Sequence, residues 1–131
     1  MLYVCGPIGL LTAVRAAWER AARPPGALRS ETFGTSGAVP VEAFRVEVPA
    51  RGLSFDVPVG TSLLDALEAA GAEMMYDCRR GECGLCRVAI LDVAGTVDHR
   101  DVFLSERQRE EGRAMCTCVS RVAAASLTID C

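Results

Sequence analysis

The chain has 131 residues, the length of one ordinary domain, and half of them are hydrophobic, so it can bury a core of its own. Its net charge of −3 argues against nucleic acid as a partner, because phosphate binding needs a concentrated basic surface. Seven cysteines are many for this length, and their odd number and the lack of a secretory signal argue against a disulfide framework.

The first residues of the chain are apolar, but they do not predict a membrane-spanning segment. Gly6, Pro7 and Gly9 interrupt the apolar run, so it is too short and too broken to span a bilayer. We therefore expect a soluble cytoplasmic protein. In a reducing compartment, clustered cysteines more often bind metal or do redox chemistry than form structural disulfides.

The first 37 residues predict a strand and a helix that cannot enclose a core. Residues 2–5 are typical of a short buried strand, and residues 10–22 repeat apolar side chains at three- and four-residue steps, as a helix does. Pro24 and Pro25 end that helix. Residues 26–41, rich in Gly, Ser, Thr and Pro, indicate a linker. We interpret residues 1–37 as the vestigial end of a larger domain and residues 38–131 as a complete one.

The second part predicts a mixed α+β domain. Residues 44–48 and 53–57 alternate apolar and polar side chains around a turn at Pro49–Gly52, which indicates a hairpin. Thr61 or Ser62 is placed to cap a helix over 62–70. A loop at 77–86, a strand at 87–92, a loop through 98–101, a helical turn near 105–111 and strands at 114–121 and 126–130 follow.

The decisive motif is the run of residues 77–86, DCRRGECGLC, with three cysteines spaced C-x4-C-x2-C. This is the spacing of plant-type [2Fe–2S] proteins, in which one loop supplies three of four thiolates. Gly81 and Gly84 suit such a loop, because glycine accepts positive φ and lets the backbone approach closely. The spacing predicts that Cys78, Cys83 and Cys86 bind a [2Fe–2S] cluster and that the chain transfers single electrons.

Other sites fit the cysteines less well. Zinc usually takes two C-x2-C or C-x2-H pairs, and Cys116 and Cys118 have one residue between them. A Rieske centre needs two histidines, and His99 stands alone in the sequence. The fourth ligand stays open at this point: 29 residues separate Cys86 from Cys116 and 31 separate it from Cys118. Both would share one face of an extended strand.

Residues 43–131 resemble the C-terminal ferredoxin domain of oxygenase reductases of the phthalate dioxygenase reductase and vanillate demethylase reductase type. The resemblance is carried by residues 78–86 (CRRGECGLC), 97–108 (VDHRDVFLSERQ) and 118–130 (CVSRVAAASLTID). It implies a β-grasp ferredoxin-like fold, a [2Fe–2S] cluster and Cys118 as the fourth ligand. Cys116 is then a small buried hydrophobe. The two extra residues before Cys118 are expected in a turn at 91–95.

The same resemblance implies an electron path. A flavin reductase, as a domain or a separate protein, supplies the electrons and a terminal Rieske-type oxygenase receives them. Tyr3–Leu10 resembles the motif that closes the nicotinamide domain of these reductases, and residues 30–34 resemble its last strand. FMN and NAD(P)H belong to parts outside this chain, because the chain has no flavin barrel and no glycine-rich phosphate loop.

We therefore assign no catalytic residue and expect an electron carrier of an NAD(P)H-dependent oxidoreductase that does not act as an enzyme alone. The alternative is a structural or regulatory fragment of a truncated reductase that binds metal or thiols. His99 is interpreted as a loop residue with local hydrogen bonds. Arg79, Arg80 and Arg87 are candidates for docking an acidic partner.

Overall fold

The computed structural model describes residues 1–32 and 41–131, and its N-terminal unit is a small β–α–β element. Strand β1 (Leu2–Gly6) runs parallel to β2 (Leu28–Thr32), with helix α1 (Ile8–Arg20) as the crossover between them. A short 3-10 turn at Pro25–Ala27 leads into β2. We call residues 2–32 the N-terminal unit. It confirms a strand followed by a helix. Its second strand lies where the composition predicted a linker and overlaps residues 30–34, which resemble the last strand of a nicotinamide domain.

The second part is built on a five-stranded mixed sheet in the order β4-β3-β7-β5-β6. Its strands are β3 (Phe44–Val48), β4 (Leu53–Val57), β5 (Arg87–Asp98), β6 (Ala114–Cys116) and β7 (Arg121–Asp130). β3 and β7 are parallel, and the remaining neighbours are antiparallel. The α+β class and the predicted hairpin are confirmed. Two helices complete the unit, α2 (Leu63–Ala69) and α3 (Glu106–Glu111).

Helix α2 connects the core of the sheet to the cysteines. Ser62 caps it by accepting a hydrogen bond from the Asp65 backbone N–H at 3.0 Å. Leu63 and Leu67 pack into the main core, which lies between the helix and the sheet. Leu64, one step round the helix, packs instead with Cys86, Cys116, Cys118 and Val119 in a second cluster. One helix therefore positions both cores.

Three strand predictions differ from the structure, and one of them is the last strand, which begins at Arg121 instead of residue 126. β5 continues to Asp98 instead of ending at residue 92, and the extra length at 91–95 is taken up by irregularities between Ile90 and Asp92 and between Ala94 and Thr96. Such bulges add residues to a strand without ending its pairing. The predicted strand 114–121 ends at Cys116, because residues 117–119 form a turn in which the Ser120 N–H donates to the Cys116 carbonyl at 3.1 Å.

None of the helices in residues 1–32 and 41–131 is long and apolar enough to cross a membrane. The predicted domain boundary at residue 37 lies outside the described residues, as do residues 33 and 34 of the segment that resembles the last strand of a nicotinamide domain.

Candidate metal centre

The predicted ligands lie at two depths. Cys78 and Cys83 belong to the loop of residues 77–86, which we call the cysteine loop, and both are half-buried. Cys86 ends that loop and is buried, as are Cys116 at the end of β6 and Cys118 in the following turn. The structure therefore has three buried cysteines, Cys86, Cys116 and Cys118, and two half-buried ones, Cys78 and Cys83, nearer the surface.

Backbone N–H groups of the cysteine loop converge on the sulfur of Cys78. The N–H groups of Arg80 and Glu82 donate to it at 3.3 Å, and that of Cys83 donates at 3.4 Å. Burial raises the pKa of Cys78 and is the largest single effect, but these hydrogen bonds together outweigh it and the net pKa is lowered. The loop is thus shaped to stabilise a thiolate, the form that binds metal.

Positive backbone φ angles turn those N–H groups inward. Gly81 and Gly84 have φ of 75° and 74°, and Arg79 has φ of 54° although it carries a side chain. A Cβ on Gly81 would stand 2.8 Å from the Cα of Asp101, and a Cβ on Gly84 would stand 2.5 Å from the Phe103 ring. Gly81 is therefore required by close approach to a backbone atom as well as by its own conformation, whereas Gly84 is required by its conformation and lies close to a side chain.

The three buried cysteines, Cys86, Cys116 and Cys118, lie together and change one another's pKa values. The thiols of Cys116 and Cys118 donate to Cys86 and lower its pKa to about 2 in spite of its burial. The same hydrogen bonds, together with burial, raise the pKa values of Cys116 and Cys118. Cys118 also accepts a hydrogen bond from the Gly81 N–H, which lowers its pKa in part. Both candidate fourth ligands therefore reach Cys86, and Cys118 also contacts the cysteine loop.

The segment of residues 98–105, whose first half is polar and largely buried, lies against the cysteine loop. Asp101 is fully buried, and its Oδ2 accepts the Leu104 N–H at 2.7 Å. Burial raises the pKa of Asp101 most, but the nearby His99, a hydrogen bond from the Leu104 N–H and the charge of Arg109 lower it overall. The Val102 N–H donates to the Gly81 carbonyl at 2.9 Å. The 98–105 segment thus supports the loop from below.

Sequence reasoning missed this support. The interpretation of 98–101 as a loop with local hydrogen bonds made no statement about burial, and the segment is buried: Asp98 and Arg100 form an ion pair at 2.8 Å with side chains only 4 % exposed. The His99 side chain is 10 % exposed and lies 3.8 Å from Asp101. The available signal was four consecutive polar residues directly after an apolar strand, which is equally typical of an exposed loop.

Comparison with known proteins identifies the arrangement. The model of the 2Fe-2S iron-sulfur cluster binding domain matches residues 46–123, more than half of the chain. The chain belongs to this family. The predicted [2Fe–2S] cofactor and its one-electron chemistry are confirmed by this match.

Its relatives are larger proteins. The chain is 37 % identical over 129 residues to phenoxybenzoate dioxygenase subunit beta of Ectopseudomonas oleovorans, covering 98 % of the chain and 39 % of the relative. It is 34 % identical over 134 residues to phthalate dioxygenase reductase of Burkholderia cepacia, with the same coverage. The resemblance drawn from the motifs is confirmed. The chain spans about two fifths of the length of these curated relatives.

Two solved structures show the same fold. A structure of phthalate dioxygenase reductase aligns with 98 % of this chain and 39 % of its own, at 33 % identity and a TM-score of 0.69. A structure of Pseudomonas putida CBB5 NdmA with the ferredoxin domain of NdmD aligns with 69 % of this chain and 98 % of its own, at 30 % identity and a TM-score of 0.58. The first alignment includes the N-terminal unit, and the second has the length of a ferredoxin domain.

The donor set fits a [2Fe–2S] cluster. Within residues 1–32 and 41–131, no group of three histidine, cysteine, aspartate or glutamate side chains could hold a single metal ion. A [2Fe–2S] cluster differs from a single-ion site, because its four thiolate ligands are divided between two irons. Half-buried Cys78 and Cys83 beside the buried cysteines, with inward N–H groups on Cys78, offer that chemistry.

The arginines at the rim of this iron–sulfur domain already have partners. Arg79 pairs with Asp65 and stacks over Tyr76, 4.9 Å from the ring centroid. Arg80 lies 3.4 Å from Glu82. Arg87 stacks over Phe103 at 5.7 Å. Their charges are partly satisfied inside the chain, so docking of an acidic partner by Arg79, Arg80 and Arg87 stays a prediction.

Cys5 of the N-terminal unit is exposed, and it lines a cavity of about 440 Å³ that also reaches the cysteine loop. The loop contributes Glu82, and the N-terminal unit contributes the remaining lining residues, Tyr3, Val4, Arg29, Ser30 and Glu31. The first three residues of the motif at Tyr3–Leu10 thus face Glu82 of the cysteine loop across this cavity.

Proposed function

We propose that Cys78, Cys83, Cys86 and Cys118 are the four ligands of the [2Fe–2S] cluster in this chain. The observation that carries the proposal is the set of N–H groups from Arg80, Glu82 and Cys83 aimed at one sulfur. Hydrogen bonds to the sulfurs are one of the means by which a protein sets the cluster potential.

Cys118 is favoured over Cys116 by its contact with the cysteine loop. Its sulfur receives the Gly81 N–H, and it lies in a turn and is 8 % exposed. Cys116 is fully buried and opposite Arg87 in the register of β5 and β6. A ligand in a turn can adjust to the metal without breaking a strand pair, whereas a ligand in β6 cannot.

We further propose that the chain passes electrons singly from a flavin reductase to a terminal oxygenase. The cluster, when bound, takes up and releases one electron at a time, at a potential on the order of −400 mV if typical of plant-type ferredoxins. The names of the relatives, a dioxygenase subunit and a dioxygenase reductase, support this role. Leu85, which lies between Cys83 and Cys86 in the cysteine loop, is about half exposed.

Iron analysis and spectra of matched cysteine variants test the ligand set. We expect two irons per chain and visible absorption in the native protein, loss of both in Cys118→Ser, and retention of both in Cys116→Ser. Loss in Cys116→Ser with retention in Cys118→Ser would reverse the assignment. One zinc per chain without colour would remove the proposal altogether.

Transfer is tested with added partners. We expect no NAD(P)H oxidation by the chain alone, and reduction of its cluster when a flavin-containing NAD(P)H reductase is added. The reduced chain should then be reoxidised faster when a Rieske-type oxygenase is present than in buffer alone. Reoxidation at the same rate with and without the oxygenase would contradict the proposed acceptor.

A further inference from the structure

We propose that Arg15 of helix α1 is a positioning residue for the [2Fe–2S] site, because it holds the 98–105 segment against the cysteine loop. The inference rests on the proposed function only in taking residues 77–86 as the cluster-binding loop. Arg15 lies in the N-terminal unit, more than sixty residues before that loop.

The contact is a fork on two backbone carbonyls. Arg15 Nη2 donates to the Val102 carbonyl at 2.6 Å, and Nη1 donates to the Leu104 carbonyl at 3.3 Å. A planar guanidinium can reach two acceptors at once in this way, and hydrogen bonds from a charged donor are stronger than neutral ones. The fork therefore restrains the distance between the two carbonyls.

Val102 transmits this contact to the cysteine loop. Its carbonyl accepts from Arg15, and its N–H donates to the Gly81 carbonyl at 2.9 Å. Gly81 itself lies against Val119, the residue that follows Cys118 in the turn. A series of hydrogen bonds thus runs from α1 through Val102 to Gly81, which packs against the turn of a proposed ligand.

The space around Gly81 leaves the loop little freedom to compensate. A Cβ on Gly81 would stand 2.8 Å from the Cα of Asp101 and 2.7 Å from a methyl group of Val119. A shift of residues 101–104 would therefore move the cysteine loop with it. Arg109 also donates to the Asp101 carbonyl and keeps residue 101 in place, so Arg15 controls the far half of the segment, residues 102–104.

The charges around Arg15 are suited to a fixed position. Burial and the nearby cation Arg109 lower its pKa, while Asp101, Glu19 and Glu106 raise it. The guanidinium stays charged in any case, since arginine does not lose its proton in proteins. It is therefore a permanent donor to the two carbonyls.

The test compares Arg15→Gln and Arg15→Lys with Arg20→Gln, an exposed arginine on the same helix. Hydrogen–deuterium exchange by mass spectrometry is measured on the cluster-loaded chain, together with the rate at which a chelator removes iron and the midpoint potential. For Arg15→Gln we expect exchange in peptides covering 98–105 and 78–86 to rise by about tenfold, as local opening of a hydrogen-bonded segment does.

Arg15→Lys, with one point charge in place of a fork, should lie between the native chain and Arg15→Gln. Arg20→Gln should match the native chain. Iron loss should be faster and the potential shifted in Arg15→Gln, both to a smaller extent in Arg15→Lys, and neither should change in Arg20→Gln. The proposal is overturned if exchange in 98–105 is unchanged in both Arg15 variants, or if it rises equally in strands β3 and β7.

If Arg15→Gln unfolds α1, exchange in residues 8–20 will rise as well, and Arg15→Lys then decides the question. The ligand proposal fails separately, by the absence of two irons per chain in the native protein. Exchange in 98–105 still tests Arg15 in that case, because its hydrogen bonds to Val102 and Leu104 need no metal.

Discussion

The close approach of Gly81 to the 98–105 segment allows a quantitative test of how tightly the cysteine loop is packed. Gly81→Ala introduces a Cβ at φ 75°, which costs about 1–2 kcal/mol for an L-residue in the left-handed region. The same Cβ would lie 2.8 Å from the Cα of Asp101, a backbone atom that cannot swing away. Overpacking of this kind costs about 1–3 kcal/mol more.

The chain provides matched controls for the two contributions. Gly52 has φ of 64° and nothing within 4 Å of its ideal Cβ, so Gly52→Ala carries only the backbone cost. Gly84 has φ of 74°, and its Cβ would meet the Phe103 ring, a side chain that is 41 % exposed and can rotate outward. We expect destabilisation in the order Gly52→Ala, Gly84→Ala, Gly81→Ala.

Anaerobic urea unfolding of the cluster-loaded variants, followed by circular dichroism, measures these differences. We expect a loss of about 1–2 kcal/mol for Gly52→Ala and about 2–5 kcal/mol for Gly81→Ala. The effect of alanine on the unfolded chain is common to all three variants and cancels in the comparison. Equal losses at Gly52 and Gly81 would refute the argument that residues 81 and 101 are in tight contact.

Three further predictions concern the supports of the site. Leu64→Ala should lower the free energy of unfolding by about 2–5 kcal/mol, because the side chain is fully buried against the cysteines, and iron should be lost faster than in the native chain. Ser105→Ala removes the capping box with Gln108 and should cost about 1 kcal/mol in urea unfolding. Since the pKa of Asp101 is lowered on folding, its stabilising effect is present above its ordinary value of 3.8 and is lost as the pH falls below it. Urea midpoints of Asp101→Asn should therefore depend less on pH below about 4 than those of the native chain.

The sequence predicted the elements whose signals are local. The alternation at 44–48 and 53–57 and the cap at Ser62 each depend on neighbouring residues, and the structure has the strands and helix there. The C-x4-C-x2-C spacing likewise places three sulfurs through one short loop. The residues that form these features are close to one another in the sequence as well as in space.

What the sequence did not predict depends on distant contacts. The composition of residues 28–32 predicted a linker, and only the resemblance of residues 30–34 indicated a strand; β2 begins at Leu28, where β1 offers a parallel edge. Residues 91–95 were expected to turn, but β7 pairs with β5 on both sides of its bulges and keeps the strand continuous. Pairing with a strand that lies far away in the sequence outweighs local propensity in both places.

The choice between Cys116 and Cys118 as the fourth ligand depends most clearly on contacts that the local sequence does not predict. Strand alternation could not separate Cys116 from Cys118, and the premise itself was wrong, because residue 118 lies in a turn. The turn is fixed by contacts from two other elements: the Thr117 carbonyl accepts the Leu64 N–H at 3.0 Å, and the Thr117 hydroxyl donates to the Cys86 carbonyl at 2.9 Å. The position of Cys118 is thus set by α2 and by the end of the cysteine loop. A ligand assignment in this fold depends on those contacts more than on the number of residues between cysteines.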